Sequence, residues 1–330
     1  MNLKSVLHSV LAVAAVLISA QCAMGQIYQM SELNTRQIGG LDRQKTVILV
    51  PGGILEEHGP YLPSSTDGYI ADAFTDSLAR AIVARPGWTV VVFPQIPLGS
   101  DPANTIGELK VFPGSFPVRT STVRAIFMDL ASALGEQGFR WVFLIHYHGA
   151  PNHQRALDEA SDYFHDTYGG TMVNLLGLMP VSECCGAEAK FLSPAALKEE
   201  GVTVHAGADE TSLLYFVKPS LLSPDYRQAA SWTSHSIPEL VENAKRKGWP
   251  GYFGAPRLAD ASLGAQIFLQ KSNKANELAL SILDGADARK IPRYADAMMP
   301  LVSKYESKVL DDEEKMARSE QEWLKAHGLQ

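Results

Sequence analysis

Glu56, His58 and Asp67 arrive close together in the stretch Glu56-Glu57-His58-Gly59-Pro60-Tyr61-Leu62-Pro63-Ser64-Ser65-Thr66-Asp67. Carboxylate and imidazole donors in this combination suit zinc, manganese or ferrous iron. Gly59-Pro60 and Leu62-Pro63 stiffen the intervening loop, which reduces the entropy lost when a metal fixes it. By itself the segment also fits a solvated turn with helix-capping side chains. A second cluster, His146-Tyr147-His148-Gly149, closes an apolar run. Strand alternation points His146 and His148 the same way, so one can be a ligand and the other its supporting partner, or both can be hydrogen-bonded structural histidines. His153, farther along, is expected on the surface. The third cluster runs from His205 through Asp209 and Glu210 to Ser212. Its carboxylates stand at a loop-to-helix boundary, where they serve either chemistry or capping.

The elements that must position these clusters follow from hydrophobic periodicity. Thr46–Val50, Trp88–Phe93, Trp141–His146 and Thr171–Leu176 are short runs rich in branched residues and are predicted strands. Ile70–Ala84, with Ile70, Phe74, Leu78 and Ile82 on one face, is a predicted helix, as is Ser121–Gln137 with Val123, Ile126, Phe127, Leu130 and Leu134. The alternation predicts an α/β fold of βαβ units around a mostly parallel sheet. The first two clusters then lie just past the carboxyl ends of strands, where open α/β sheets bind ligands. Pro94–Pro117 and Met179–Gly201 are Gly- and Pro-rich without periodicity, and loops of that length are expected to overhang a site. The chain reads as helix from Pro256 to about Asp284, and Leu310–His327 as a charged helix with Met316, Trp323 and Leu324 as its apolar residues.

Together the segments resemble the creatininase family of metal-dependent amidohydrolases. The family signature Gly-Ser-x-Glu-Gln-His-Gly-Pro-His-Leu-Pro-x-x-Thr-Asp is matched by Gly53 through Asp67. Phe112-Pro113-Gly114-Ser115 resembles its Phe-Pro-Gly-Thr element, and His146-Tyr147-His148-Gly149-Ala150-Pro151-Asn152 its Asn-Gly-His-Gly-Gly-Asn element. His205 through Ser212 matches His-Ala-Gly-x-x-Glu-Thr-Ser, and Gly251-Tyr252-Phe253-Gly254-Ala255-Pro256 a late Gly-x-x-Gly-x-Pro. The resemblance covers residues 45 to 285 or so. It implies a three-layer α/β/α creatininase-like domain over residues 26–290, with a C-terminal helical extension at 291–330. It also implies a pair of divalent cations, zinc, manganese or iron, bridged by Asp67. Glu56 and His148 hold one and His58 the other. Creatininase has a second-metal glutamate where this chain has Ala150, so Glu210 or His146 is the expected substitute. His205 is implied as the histidine that protonates the leaving nitrogen, with Glu210 as a ligand or substrate-orienting carboxylate. Hexamers are common among such relatives, so a homo-oligomer is expected.

That chemistry is hydrolysis of a C–N bond by metal-activated water, with a small, non-peptide and cyclic amide or lactam as the expected substrate. Gly201 stands where creatininase places a tryptophan over its substrate, which points away from creatinine itself. Deformylase or lactonase chemistry on the same centre is the alternative, and a degenerate binding module the non-catalytic one. A formal net charge of -7 without a basic block argues against a nucleic-acid partner. One positive charge and an apolar run from Val10 to Ala20 precede Ala23-Met24-Gly25. This pattern predicts a cleavable signal peptide over residues 1–25, no stable membrane anchor after cleavage, and a periplasmic or secreted protein. Cys184 and Cys185 are adjacent, and oxidising surroundings permit a vicinal disulfide between them or leave two free thiols.

Overall fold

The computed structural model describes residues 25–182 and 191–329. The expected signal segment, apart from Gly25, and the Cys184–Cys185 pair lie outside the described residues.

In chain order the regular elements are β1 Gln26–Gln29, α1 Thr35–Gly39, β2 Thr46–Gly52, α2 Thr66–Val83, β3 Thr89–Val92, α3 Thr120–Glu136, β4 Trp141–His146, α4 Pro151–Tyr168 and β5 Thr171–Asn174. They continue with α5 Met179–Ser182, α6 Pro194–Glu200, α7 Ala208–Val217, α8 Ile237–Lys245, α9 Ala261–Leu283 and α10 Tyr294–Ala326. The strands form one sheet in the order β1-β3-β2-β4-β5, and every pairing is parallel.

Because successive strand residues face opposite ways, β2 sends Val47 and Leu49 to one side and Ile48 and Val50 to the other, and all four are buried. On the first side they join Ile70, Phe74, Leu78 and Ile82 of α2 and Leu263, Ile267 and Ala279 of α9. On the second they meet Val123, Phe127 and Leu134 of α3 and Ala156, Leu157, Ala160 and Phe164 of α4. Both faces are therefore covered, the condition under which a parallel sheet is stable. The result is the three-layer α/β/α arrangement expected from the sequence. The neighbours β2 and β4 send the chain to opposite edges of the sheet, so the loops at their carboxyl ends diverge around a crevice.

Some expectations are corrected. A short strand, β1, pairs with β3 at the sheet edge, and β5 ends at Asn174 rather than Leu176. The stretch from Met179 to Gly201 is no uninterrupted loop, since α5 and α6 occupy its two ends. The terminal helix starts at Tyr294, well before Leu310, and contains Pro300, whose missing donor and fixed φ disfavour a helix interior. Ala295 and Met299 anchor its first turns in the body, whereas Met316, Trp323 and Leu324 are exposed on this chain. No helix among the described residues is long and apolar enough to cross a membrane.

Asp158 of α4 is buried and accepts from Asn174 Nδ2 at 3.2 Å. Burial pushes its carboxyl up to about 7, against the pull of Arg293 and Asn174. The folded state therefore binds this proton more tightly than the unfolded chain does. Stability from this group is present at acidic pH and lost as pH rises from the ordinary carboxylate range through about 7. Asp158→Asn should accordingly raise the thermal midpoint more at pH 8 than at pH 5, measured by thermal unfolding; an equal shift at both would contradict the assignment.

Candidate metal centre

β2 delivers the chain into the crevice through Gly52 and Gly53. A Cβ on Gly53 would stand 2.4 Å from the Asp67 Cβ, so only glycine lets strand and side chain approach so closely. Asp67 lies in the first turn of α2, where the positive end of the helix dipole favours its ionised carboxylate. Its two oxygens diverge. Oδ1 lies 3.3 Å from His58 Nε2, and Oδ2 lies 3.5 Å from His148 Nδ1. On the His148 side, Glu56 Oε1 is 3.1 Å from the same Nδ1. On the His58 side, Glu210 Oε1 is 3.8 Å from Nε2. Two groups of potential ligands, Glu56–Asp67–His148 and His58–Asp67–Glu210, thus share Asp67.

Each ligand is held by its far side. His148 Nε2–H donates to the Ser100 carbonyl at 2.9 Å, and His58 Nδ1–H to the Glu56 carbonyl at 3.2 Å. Carbonyls only accept, so these bonds fix the tautomers and leave a lone pair on the nitrogen that faces the carboxylates. Glu56 Oε2 accepts from the Ala103 amide at 2.9 Å, and Glu210 Oε2 from the Ala206 amide at 2.6 Å, leaving Oε1 of each turned inward. Ala206 makes its donation with φ at 51°, a left-handed backbone uncommon for a residue with a Cβ.

The residues fit divalent cations. Glu56, Asp67 and Glu210 have no Lys or Arg ion-pair partner among the described residues, although Glu56 and Asp67 are buried. Buried carboxylates without a cation are costly. His58 Nε2 is buried and has no hydrogen-bond partner of good geometry among the described residues, which suits a nitrogen that would receive a metal. Burial alone would lower the pKa of His58, but Glu210 and Asp67 raise it well above the usual value, as Glu56 and Asp67 do for His148. Without a metal, protons compensate the carboxylates, and a bound cation takes their place.

His205 enters from the loop ahead of α7. Its Nε2 lies 2.5 Å from the Glu57 carbonyl and 3.3 Å from Glu57 Oε2, while Nδ1 faces Glu56 Oε1 at 3.7 Å and Glu210 Oε2 at 3.9 Å. Burial works against its charge, yet Glu56 and Glu57 raise its pKa to about 9. Glu200 ties this loop down, accepting from the Ala208 amide at 2.8 Å and the Ala255 amide at 2.6 Å. The Phe112–Ser115 element supports the first loop, because Ser115 Oγ accepts from the Glu57 amide at 3.1 Å.

The structure separates the two proposed substitutes for the ligand absent at Ala150. Glu210 stands beside His58, whereas His146 belongs to none of the ligand groups. His146 Nδ1 instead meets His153 Nε2 at 3.3 Å, and burial beside His148 holds its pKa down at about 3. His153, expected on the surface, is fully buried. The Ser100 amide donates to its Nδ1 at 3.4 Å, so Ser100 orients His153 through its N–H and His148 through its carbonyl. Glu57 also escaped the sequence reading, although it lies inside the signature at the position where the family pattern has Gln.

Glu210→Gln should therefore remove about one equivalent of bound divalent metal and His146→Gln none, as read by elemental analysis of the purified protein. A restored equivalent in the double variant Glu210→Gln, Ala150→Glu would confirm the vacancy that Glu210 fills. Equal losses from Glu210→Gln and His146→Gln would contradict the assignment.

Known proteins share this fold. A family model described as creatininase, creatinine amidohydrolase, matches residues 31–278. The mycofactocin precursor peptide peptidase of Mycobacterium ulcerans (strain Agy99) is 26% identical over 251 residues, which cover 73% of this chain and 87% of that protein. The protein of the same description from Mycolicibacterium smegmatis is 25% identical, covering 74% and 88%. Among solved structures, the manganese form of creatininase and a Zn-Zn type mutant creatininase each superpose with a TM-score of 0.58 at 18% identity, covering 77% of this chain and 98% of theirs. The matched span holds every ligand candidate and the whole sheet beyond its edge strand β1, and the chain belongs to the creatininase family.

Proposed function

We propose that this protein is a metal-dependent amidohydrolase that cleaves the C–N bond of a small amide, either cyclic or at the end of a short peptide. The observation that carries this reading is the divergence of the Asp67 oxygens toward His58 and His148, each beside a second carboxylate. Divalent cations held there lower the pKa of water and polarise a carbonyl.

The chain's own groups supply the remaining needs of amide cleavage. His205 is fixed through Nε2 at the Glu57 carbonyl, which turns Nδ1, the nitrogen able to carry a second proton, toward the carboxylate cluster. A departing amine needs that proton. Glu57 helps to keep His205 charged, and the Ala206 amide keeps Glu210 from turning away. The cluster opens into a cavity of about 310 Å³, lined in part by His148, His205 and Glu210. This volume suits a small molecule or one or two residues of a peptide. Creatinine amidohydrolase in the family description and peptide peptidase in the relatives' names support the same bond type. Export to the periplasm or beyond and homo-oligomeric assembly complete the reading, supported by the N-terminal sequence and the family resemblance.

The test is a turnover screen of lactams, imides, formamides and dipeptides with protein loaded with zinc, manganese or iron. Wild type should hydrolyse at least one class, and Asp67→Ala should lose both metal and turnover. His205→Gln should keep its metal while kcat falls by about 10²–10⁴-fold. Equally little metal in wild type and Asp67→Ala would contradict the proposal.

A further inference from the structure

The wall of the cavity farthest along the chain comes from α10, which lies beyond the residues that the family model matches. Tyr294, Met298, Val302 and Tyr305 follow one another at helical spacing and all line the cavity that holds Glu56, Asp67 and His148. Residues three and four apart share one helix face, so a single stripe of α10 looks into the site. Ile106, Leu240 and Val241 line the same cavity.

The helix is pinned there by specific bonds. Glu313 Oε1 accepts from the Thr120 amide at 2.8 Å and its hydroxyl at 2.9 Å, capping α3, whose own N-cap residue Arg119 offers no side-chain cap. Asn152 Nδ2 donates to the Glu306 carbonyl at 3.3 Å, and Arg119 pairs with Glu320 at 2.7 Å. Before the helix starts, Arg293 grips Asp162 through two bonds of 2.7 and 2.6 Å. Tethers from α4 and from the start of α3 hold the stripe against the body.

We propose that α10 determines specificity, its Met298–Val302–Tyr305 stripe forming a subsite for an aliphatic or aromatic group attached to the carbonyl that engages the metal centre. The proposal rests on the amidohydrolase reading. The apolar side chains of Met298, Val302, Ile106, Leu240 and Val241 in this lining favour an apolar occupant by removing its surface from water. The one acidic residue that α10 adds to this wall, Glu306, has its carboxyl pushed up to about 9 by burial and by Asp101, so it meets the cavity uncharged at neutral pH. A wall that closes one side also selects substrates that end there, a terminal residue or a compact amide, over the interior of a long polypeptide.

The experiment measures binding and needs no turnover. Zinc-loaded full-length protein is titrated with acetohydroxamate and with 3-phenylpropanohydroxamate, which share a metal-chelating head and differ in the tail. Wild type should favour the phenyl-tailed probe by about ten-fold or more. Val302→Trp fills the subsite and should abolish that preference while the Kd for acetohydroxamate stays the same, which also shows that the variant is folded. Val302→Ala, the conservative control, should keep most of the preference. A preference that survives Val302→Trp, or is absent from wild type, overturns the assignment of α10. Binding of neither probe by wild type overturns the metal-centre reading, and this inference with it.

Discussion

Ionised carboxylates packed together out of water repel one another and lose their hydration, and no Lys or Arg side chain pairs with Glu56, Asp67 or Glu210 among the described residues. Much of the structure near the crevice exists to hold this unfavourable arrangement. The sheet buries both faces so that β2 and β4 can end rigidly side by side, and α2 offers its N-terminal dipole to Asp67. Backbone amides at Ala103 and Ala206 each occupy one oxygen of a glutamate. The histidines are held by carbonyls at Ser100 and Glu56, so their free nitrogens face the carboxylates. A centre this preorganised gains most from divalent cations, which compensate the charge without the reach of a long basic side chain.

The sequence makes the sheet and most of this centre legible, because the relevant signals are local. Strands β2 and β4 are apolar runs that stop just short of the donors, Glu56 and His58 after the first and His148 after the second, and the loop after β2 carries a stiff, proline-marked spacing. Where the reading failed, the determining contacts are distant in sequence. His153 is flanked by Asn152, Gln154 and Arg155 and has no apolar signal, yet the loop at Ser100 closes over it. The choice between Glu210 and His146 depends on the bend at Ala206 and on the pairing of His146 with His153, neither of which has a periodicity to read. Asn174 closes β5 with its side chain turned to Gln154 and Asp158 of α4.

The terminal helix shows the same limit. Pro300 interrupts the helical pattern, and its tethers run to Thr120, Asn152 and Arg119, far away in the chain. The matched span carries the carboxylate and histidine cluster, and α10, beyond that span, lines the space beside it. On the proposed reading, chemistry and selectivity reside on separate segments, so the second can vary without disturbing the first.

Anomalous diffraction from manganese-loaded crystals tests the central claim most directly. The account predicts two manganese peaks about 3.5–4 Å apart, with Asp67 between them, one beside Glu56 and His148 and the other beside His58 and Glu210. A single peak, or manganese bound only elsewhere, would contradict it.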